Sequence, residues 1–129
     1  MPTPSDRPNV IWIFGDQHRA QALGFAGDPN LNTPNLDRLA SNGLVFDGAV
    51  GGCPLCSPCR GSMLTGRYPH NAVPGHEYPI PDGMPTIAKP FNDAGYDTAY
   101  FGKWHIDGYH EREGRAALHH IRKERRGGF

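Results

Sequence analysis

Asn9 to Phe14 reads Asn-Val-Ile-Trp-Ile-Phe, a continuous apolar, β-branched run that stops at Gly15-Asp16. A run this short, without polar alternation, fits a strand covered on both faces, as in a parallel sheet between helical layers. Thr33-Pro34 then opens a helix, with Thr33 as N-cap and Pro34 at the first helical position. Leu36, Leu39 and Ala40 form its apolar stripe and Gly43 stops it. Leu44 to Val50 reads as a second strand. Ser57-Pro58 repeats the cap-plus-proline signal and predicts a helix from Pro58 to about Thr65, ended by Gly66. Residues 68–85 hold five prolines and read as loop. Thr86 to Ala94 reads as another helix, with Pro90 near enough to its start to be tolerated. Asp97 to Phe101 is a third expected strand, ending at Gly102-Lys103. This order predicts an α/β sandwich around a mainly parallel sheet. In such sheets the ligand site lies beyond the carboxyl ends of the strands, where Asp16 and Lys103 both fall.

Composition narrows the function classes. The chain has 129 residues, room for one small domain. Residues 1–8 read as an N-terminal tail and 9–129 as the folded part. Seventeen glycines and thirteen prolines make nearly a quarter of the chain, which suits an enzyme with long site-forming loops. Thirteen basic residues balance thirteen acidic ones, so neither nucleic acid nor an anionic membrane is an expected partner. The basic stretch from Glu111 to Phe129 reads as a solvated surface. No apolar run approaches the ~18 residues of a membrane span. No secretory leader precedes the first strand, so a cytoplasmic location is expected. Cys53, Cys56 and Cys59 repeat at C-x-x-C-x-x-C. Zinc and most iron–sulfur sites need four ligands, and a fourth cysteine is missing, so a cysteine-bound metal is a secondary reading. An odd cysteine count argues against a disulfide framework.

The chemistry concentrates in Leu55-Cys56-Ser57-Pro58-Cys59-Arg60, continued by Thr65-Gly66, and in Gly102-Lys103-Trp104-His105. Together they resemble the type I, formylglycine-dependent sulfatases of the alkaline-phosphatase-like superfamily. The signature C-x-P-x-R is matched by Cys56, Pro58 and Arg60, with Thr65-Gly66 in register; Cys59 stands where serine is commoner. The resemblance implies that a formylglycine-generating maturation enzyme oxidises Cys56 to formylglycine. The hydrated aldehyde carries two hydroxyls: one attacks sulfur, and the other expels sulfate from the covalent intermediate. A helix beginning beside Cys56 favours an anion through its free amides and dipole. Arg60, one turn on, is placed to turn toward the diol and the metal. The resemblance gives Lys103 a sulfate oxygen to neutralise. It gives His105 a hydrogen bond to donate or a departing alkoxide to protonate. Taken singly, Cys56 reads as a buried thiol in a capping turn, Lys103 as a solvated lysine and His105 as a packed imidazole.

The resemblance also implies one divalent cation, calcium first, with magnesium or manganese as alternatives. Asp16 is its first ligand, Gln17 a further ligand or a neighbour bonded to one, and the modified Cys56 another. Many members carry two acids where this chain has Asp16-Gln17, a pair also found in choline-sulfatase-like and phosphonate-monoester-hydrolase-like relatives. The expected substrate is a small-molecule or carbohydrate sulfate ester. A phosphonate or phosphate ester hydrolase of the same superfamily, and a non-enzymatic gene remnant, stay open beside it. Asn32 to Asp37, Ala94-Gly95-Tyr96 and Lys123 to Phe129 resemble scaffold segments of the family. Complete members are several times longer, so this stretch reads as an incomplete N-terminal part of the sandwich, inactive and unstable by itself. His18, His70, His76, His110, His119 and His120 belong to no motif and are expected on the surface or in loops.

Overall fold

The computed structural model of the chain describes residues 7–108 and 126–129. Among the described residues there are three helices, α1 (Pro34–Asn42), α2 (Cys56–Thr65) and α3 (Ala88–Asp93), with single 3-10 turns at Gly24–Ala26 and Pro69–Asn71. The chain divides into two compact units, Met1–Gly48 and Ala49–Phe129. The start of the N-terminal tail, most of the basic stretch after Glu111, and His110, His119 and His120 lie outside the described residues.

The three expected strands do not form. Among the described residues the one β-pairing is an isolated antiparallel bridge between Pro79 and Asp107. Segments 9–14, 44–50 and 97–101 have no ladder, and most of their large apolar side chains are exposed: Ile13 is 85% exposed, Val50 92% and Phe101 90%. The expected sandwich around a parallel sheet is therefore absent from the described residues. The reason is physical. A helix closes its hydrogen bonds within four residues, whereas a strand satisfies its backbone only through a neighbouring strand.

In the first unit no described residue is buried. A polar knot ties its 3-10 turn to α1. The Thr33 hydroxyl donates to Asp37 Oδ1 (2.8 Å) and accepts from the Gly24 amide (2.8 Å). The Phe25 amide donates to the same Asp37 oxygen (2.9 Å). Thr33 precedes α1 as expected, but its side chain ties the 3-10 turn to the helix instead of capping the helix amides.

The second unit holds the core: Leu64, Val73, Ile80, Trp104 and Ile106, with Met84, Ile87, Tyr100 and Phe129 packed around it. α2 starts at Cys56, two residues before the predicted Pro58, and Leu55 takes the cap position with no side-chain cap bond. Pro58 is then the third helical residue, where the amide has no partner inside the helix, so its missing N–H costs nothing. Ser57 is fully buried and does not cap. Gly66 ends α2 as expected, in the left-handed conformation at φ 67°. α3 is shorter than predicted. Thr86 stays outside it, and its hydroxyl accepts from the Ala88 amide (3.2 Å) and donates to the Gly127 carbonyl. The Ile87 amide donates to the Leu64 carbonyl (2.7 Å), joining the end of α2 to the start of α3.

Candidate active site

The second unit brings residues of both motifs together. Cys56 is the first residue of α2, and the Lys103 ammonium donates to its Sγ at 3.3 Å across 47 residues of sequence. Lys103 is exposed, so this pair faces solvent. An anion arriving there meets a lysine charge and the unbonded amides of a helix start, two features that favour negative charge.

Arg60 is the buried tie behind that pair, only 6% exposed. Its Nη1 donates to the Tyr100 hydroxyl (3.0 Å) and to the carbonyl of Lys103. The Tyr100 hydroxyl in turn donates to the same carbonyl (2.6 Å). The guanidinium thus fixes the backbone at Lys103 from beneath, and α2 carries both Cys56 and the residue that anchors the partner of Cys56. Tyr100 has no role assigned by the Gly102–His105 motif. The signal for it is adjacency, three residues before Lys103. The ring packs edge-on against Trp104 (4.9 Å) and Phe129 (5.6 Å), which holds the hydroxyl in place.

His105 follows at φ 53°, a left-handed backbone that residues with a Cβ seldom adopt. Its ring is half-buried and stacks on His76 at 5.2 Å with 18° between planes. His76 is exposed in a loop, as expected. His70, by contrast, stacks on its near neighbour Tyr68 (5.8 Å).

Asp16 and Gln17 lie in the first unit, both exposed, on a turn after segment 9–14. Gln17 has φ 55° and, with His105, makes up the non-glycine residues in the left-handed region among the described residues. Gly15 is needed for that turn, since a Cβ there would stand 2.6 Å from the His18 Cβ. The three cysteines are free thiols, and among the described residues no group of three His, Cys, Asp or Glu side chains is arranged to hold a metal.

The model of the Sulfatase family matches residues 8–124, nearly the whole chain. The chain belongs to the sulfatase family. It is 44% identical over 124 residues to an ulvan-active sulfatase of Formosa agariphila, a match covering 95% of this chain and 23% of that protein. It is 37% identical over 101 residues to an N-acetylglucosamine-6-O-sulfatase of Bacteroides thetaiotaomicron, covering 78% of this chain and 18% of the relative. A solved Bacteroides fragilis protein assigned as the sulfatase YidJ superposes with a TM-score of 0.75 at 32% identity, over 88% of this chain and 28% of that one. The chain therefore spans less than a quarter of the length of the curated sulfatases it matches.

Sulfatase membership points in general to a metal ion and a formylglycine. In kind, the carboxylate of Asp16 and the amide oxygen of Gln17 suit a hard cation. They fall short in number, because calcium takes about six to eight oxygens and magnesium about six. The described residues of this sulfatase do not make up such a shell by themselves.

Proposed function

We propose that the protein carrying this sulfatase segment hydrolyses carbohydrate sulfate esters, with Cys56 as the site of the nucleophile after oxidation to formylglycine. The observation that carries this reading is the Lys103 ammonium 3.3 Å from Cys56 Sγ, at the first residue of the helix that bears the C-x-P-x-R motif. The modified side chain supplies a hydrated aldehyde with two hydroxyls. The chain's own residues do the rest. Lys103 binds and neutralises a sulfate oxygen beside position 56. Arg60 and the Tyr100 hydroxyl hold the Lys103 carbonyl so that the ammonium keeps that position. His105, two residues on, donates a hydrogen bond at the reacting centre or protonates the departing alkoxide. A divalent cation belongs to this reading, calcium first, with Asp16 and Gln17 among its ligands and the others supplied by sequence that the relatives carry beyond this segment. There too, the extended segments 9–14, 44–50 and 97–101 find their sheet partners. The sugar comes from the N-acetylglucosamine-6-O-sulfatase relative.

A second reading, hydrolysis of phosphonate or phosphate esters, rests on Asp16-Gln17 in place of two acids. One experiment separates them. The full-length protein is produced with a formylglycine-generating enzyme, and the Cys56 peptide is checked by mass spectrometry for thiol-to-aldehyde conversion. It is then offered sugar sulfates, a phosphodiester and a phosphonate monoester. Sulfate turnover that Cys56→Ala abolishes is the expected result. Preferential cleavage of phosphonate or diester would replace it with the second reading. An unmodified Cys56 in active protein would remove the formylglycine.

A further inference from the structure

The cysteine triplet holds chemistry that sulfate hydrolysis does not use. Cys56 is the site of the nucleophile, whereas Cys53 and Cys59 have no part in that reading. All three are free thiols and partly exposed, so small reagents in solvent reach them. Cys56 and Cys59 are the first and fourth residues of α2. Residues three apart in a helix share a face, with Cβ atoms about 5–6 Å apart. A disulfide needs about 3.5–4.5 Å between those atoms, so the first turn has to tighten by about 1–2 Å.

That turn is able to yield. The first helical bond of α2 runs from the Cys59 amide to the Leu55 carbonyl (2.9 Å), and Pro58 just before it has no amide to give. The Cys56 amide lies ahead of the point where the ladder begins. Cys59 Sγ faces Met63 Sδ at 3.7 Å, a contact between a weak donor and a weak acceptor. Rotation about the Cα–Cβ bond exchanges it for Cys56. Cys53 has the same spacing without the same geometry. It precedes the helix, Pro54 biases it toward extended backbone, and Leu55 is extended. An extended chain advances about 3.3–3.6 Å per residue, which carries Cys53 past the ~7 Å that a disulfide allows between Cα atoms.

We infer that Cys56 and Cys59 form a reversible disulfide in the unmatured protein, and that it withholds Cys56 from conversion to formylglycine. The oxidant is a small disulfide such as glutathione disulfide. The Cys56 thiolate attacks one of its sulfurs, the S–S bond breaks, and one glutathione leaves as a thiolate that takes up a proton. Cys59 then gives up its own proton and attacks the Cys56 sulfur of the mixed disulfide, expelling the second glutathione. Two protein thiols are oxidised, one glutathione disulfide is reduced to two thiols, and a dithiol reductant reverses the exchange. The withholding rests on Cys56 being the residue oxidised to formylglycine; the disulfide itself does not.

The test has two readouts. The full-length protein is first produced without a maturation enzyme, as wild type, Cys53→Ser and Cys59→Ser, and equilibrated in glutathione buffers from reducing to oxidising. The peptide that carries the cysteines is alkylated and analysed by mass spectrometry. The wild type and Cys53→Ser are expected to lose two thiols together to an internal disulfide, and Cys59→Ser to form none. No internal disulfide in the wild type, or one that survives Cys59→Ser or is lost in Cys53→Ser, overturns the inference. The wild type and Cys59→Ser are then each co-produced with a formylglycine-generating enzyme, in a host with a reducing and a host with an oxidising thiol pool. Oxidising conditions are expected to lower aldehyde formation at Cys56 about tenfold more in the wild type than in Cys59→Ser, because only a free thiol reacts. Equal falls in both overturn the withholding. Absence of aldehyde from both proteins in the reducing host refutes the formylglycine reading instead, and the disulfide then stands or falls on the alkylation result.

Discussion

Gly61 sits at the tightest approach of α2 to the core, and filling it gives a prediction whose sign is decided by structure. A Cβ built there would lie 2.7 Å from Val73 Cγ2 and 2.8 Å from Val73 Cβ. Val73 is fully buried, so it has little room to retreat. Helix propensity alone says that Gly61→Ala stabilises by about 0.8–1 kcal/mol in a helix interior. Overpacking a filled core costs about 1–3 kcal/mol. The contacts are below anything real Cβ atoms show, which places the cost toward the upper end, and the net effect is a destabilisation of about 1–2 kcal/mol. Activity falls as well, because the displaced α2 carries both Cys56 and Arg60. The assay is chemical denaturation of the full-length protein beside its rate on a sulfate ester, for Gly61→Ala, Val73→Ala and the pair. Val73→Ala alone leaves a cavity; in the pair, the contact with Cγ2 is gone and only the one with the residue 73 Cβ has to relax, into that cavity. The pair is therefore less destabilised than the two single changes added, by about 1 kcal/mol or more. A Gly61→Ala protein more stable than its parent would refute the reasoning, as would strict additivity in the pair.

Two further perturbations follow from the hydrogen bonds. Tyr100→Phe keeps the ring among Trp104 and Phe129 but removes the hydroxyl that links Arg60 to the Lys103 carbonyl. It is expected to cost about 1 kcal/mol of stability and to raise KM for sulfate esters, and a KM unchanged on steady-state assay counts against the tie. Asp37→Ala frees the amide of Phe25 and the hydroxyl of Thr33. Hydrogen exchange at Phe25 then speeds up by roughly tenfold, the equivalent of about 1.4 kcal/mol, while the Ile80 amide in the other unit keeps its rate.

The sequence alone was enough for everything decided by nearest neighbours. Thr33-Pro34 marks the start of α1, Gly66 the end of α2, and the two motifs name Cys56, Arg60, Lys103 and His105 before any coordinate is known. Such signals work because caps, prolines and left-handed glycines act within a turn of the chain. The same locality explains the shifts at helix starts. Ser57-Pro58 and Thr33-Pro34 carry an identical cap-and-proline signal, yet Ser57 is drawn inside α2 by burial and Thr33 is claimed by Gly24 and Asp37. Segments 9–14, 44–50 and 97–101 have the composition of strands, but composition cannot supply a partner, and most of their large apolar side chains stay exposed.

What tertiary structure alone decided is the set of long-range meetings. Cys56 reaches Lys103 across 47 residues and Arg60 reaches Tyr100 across 40. His76 meets His105 only because Ile80 pairs with Ile106. None of these has a periodic or local signature, since each depends on how the core around Leu64, Val73 and Ile106 closes. Residue types and spacing fix the chemistry a chain has to offer; the packing of distant segments determines which of those groups touch.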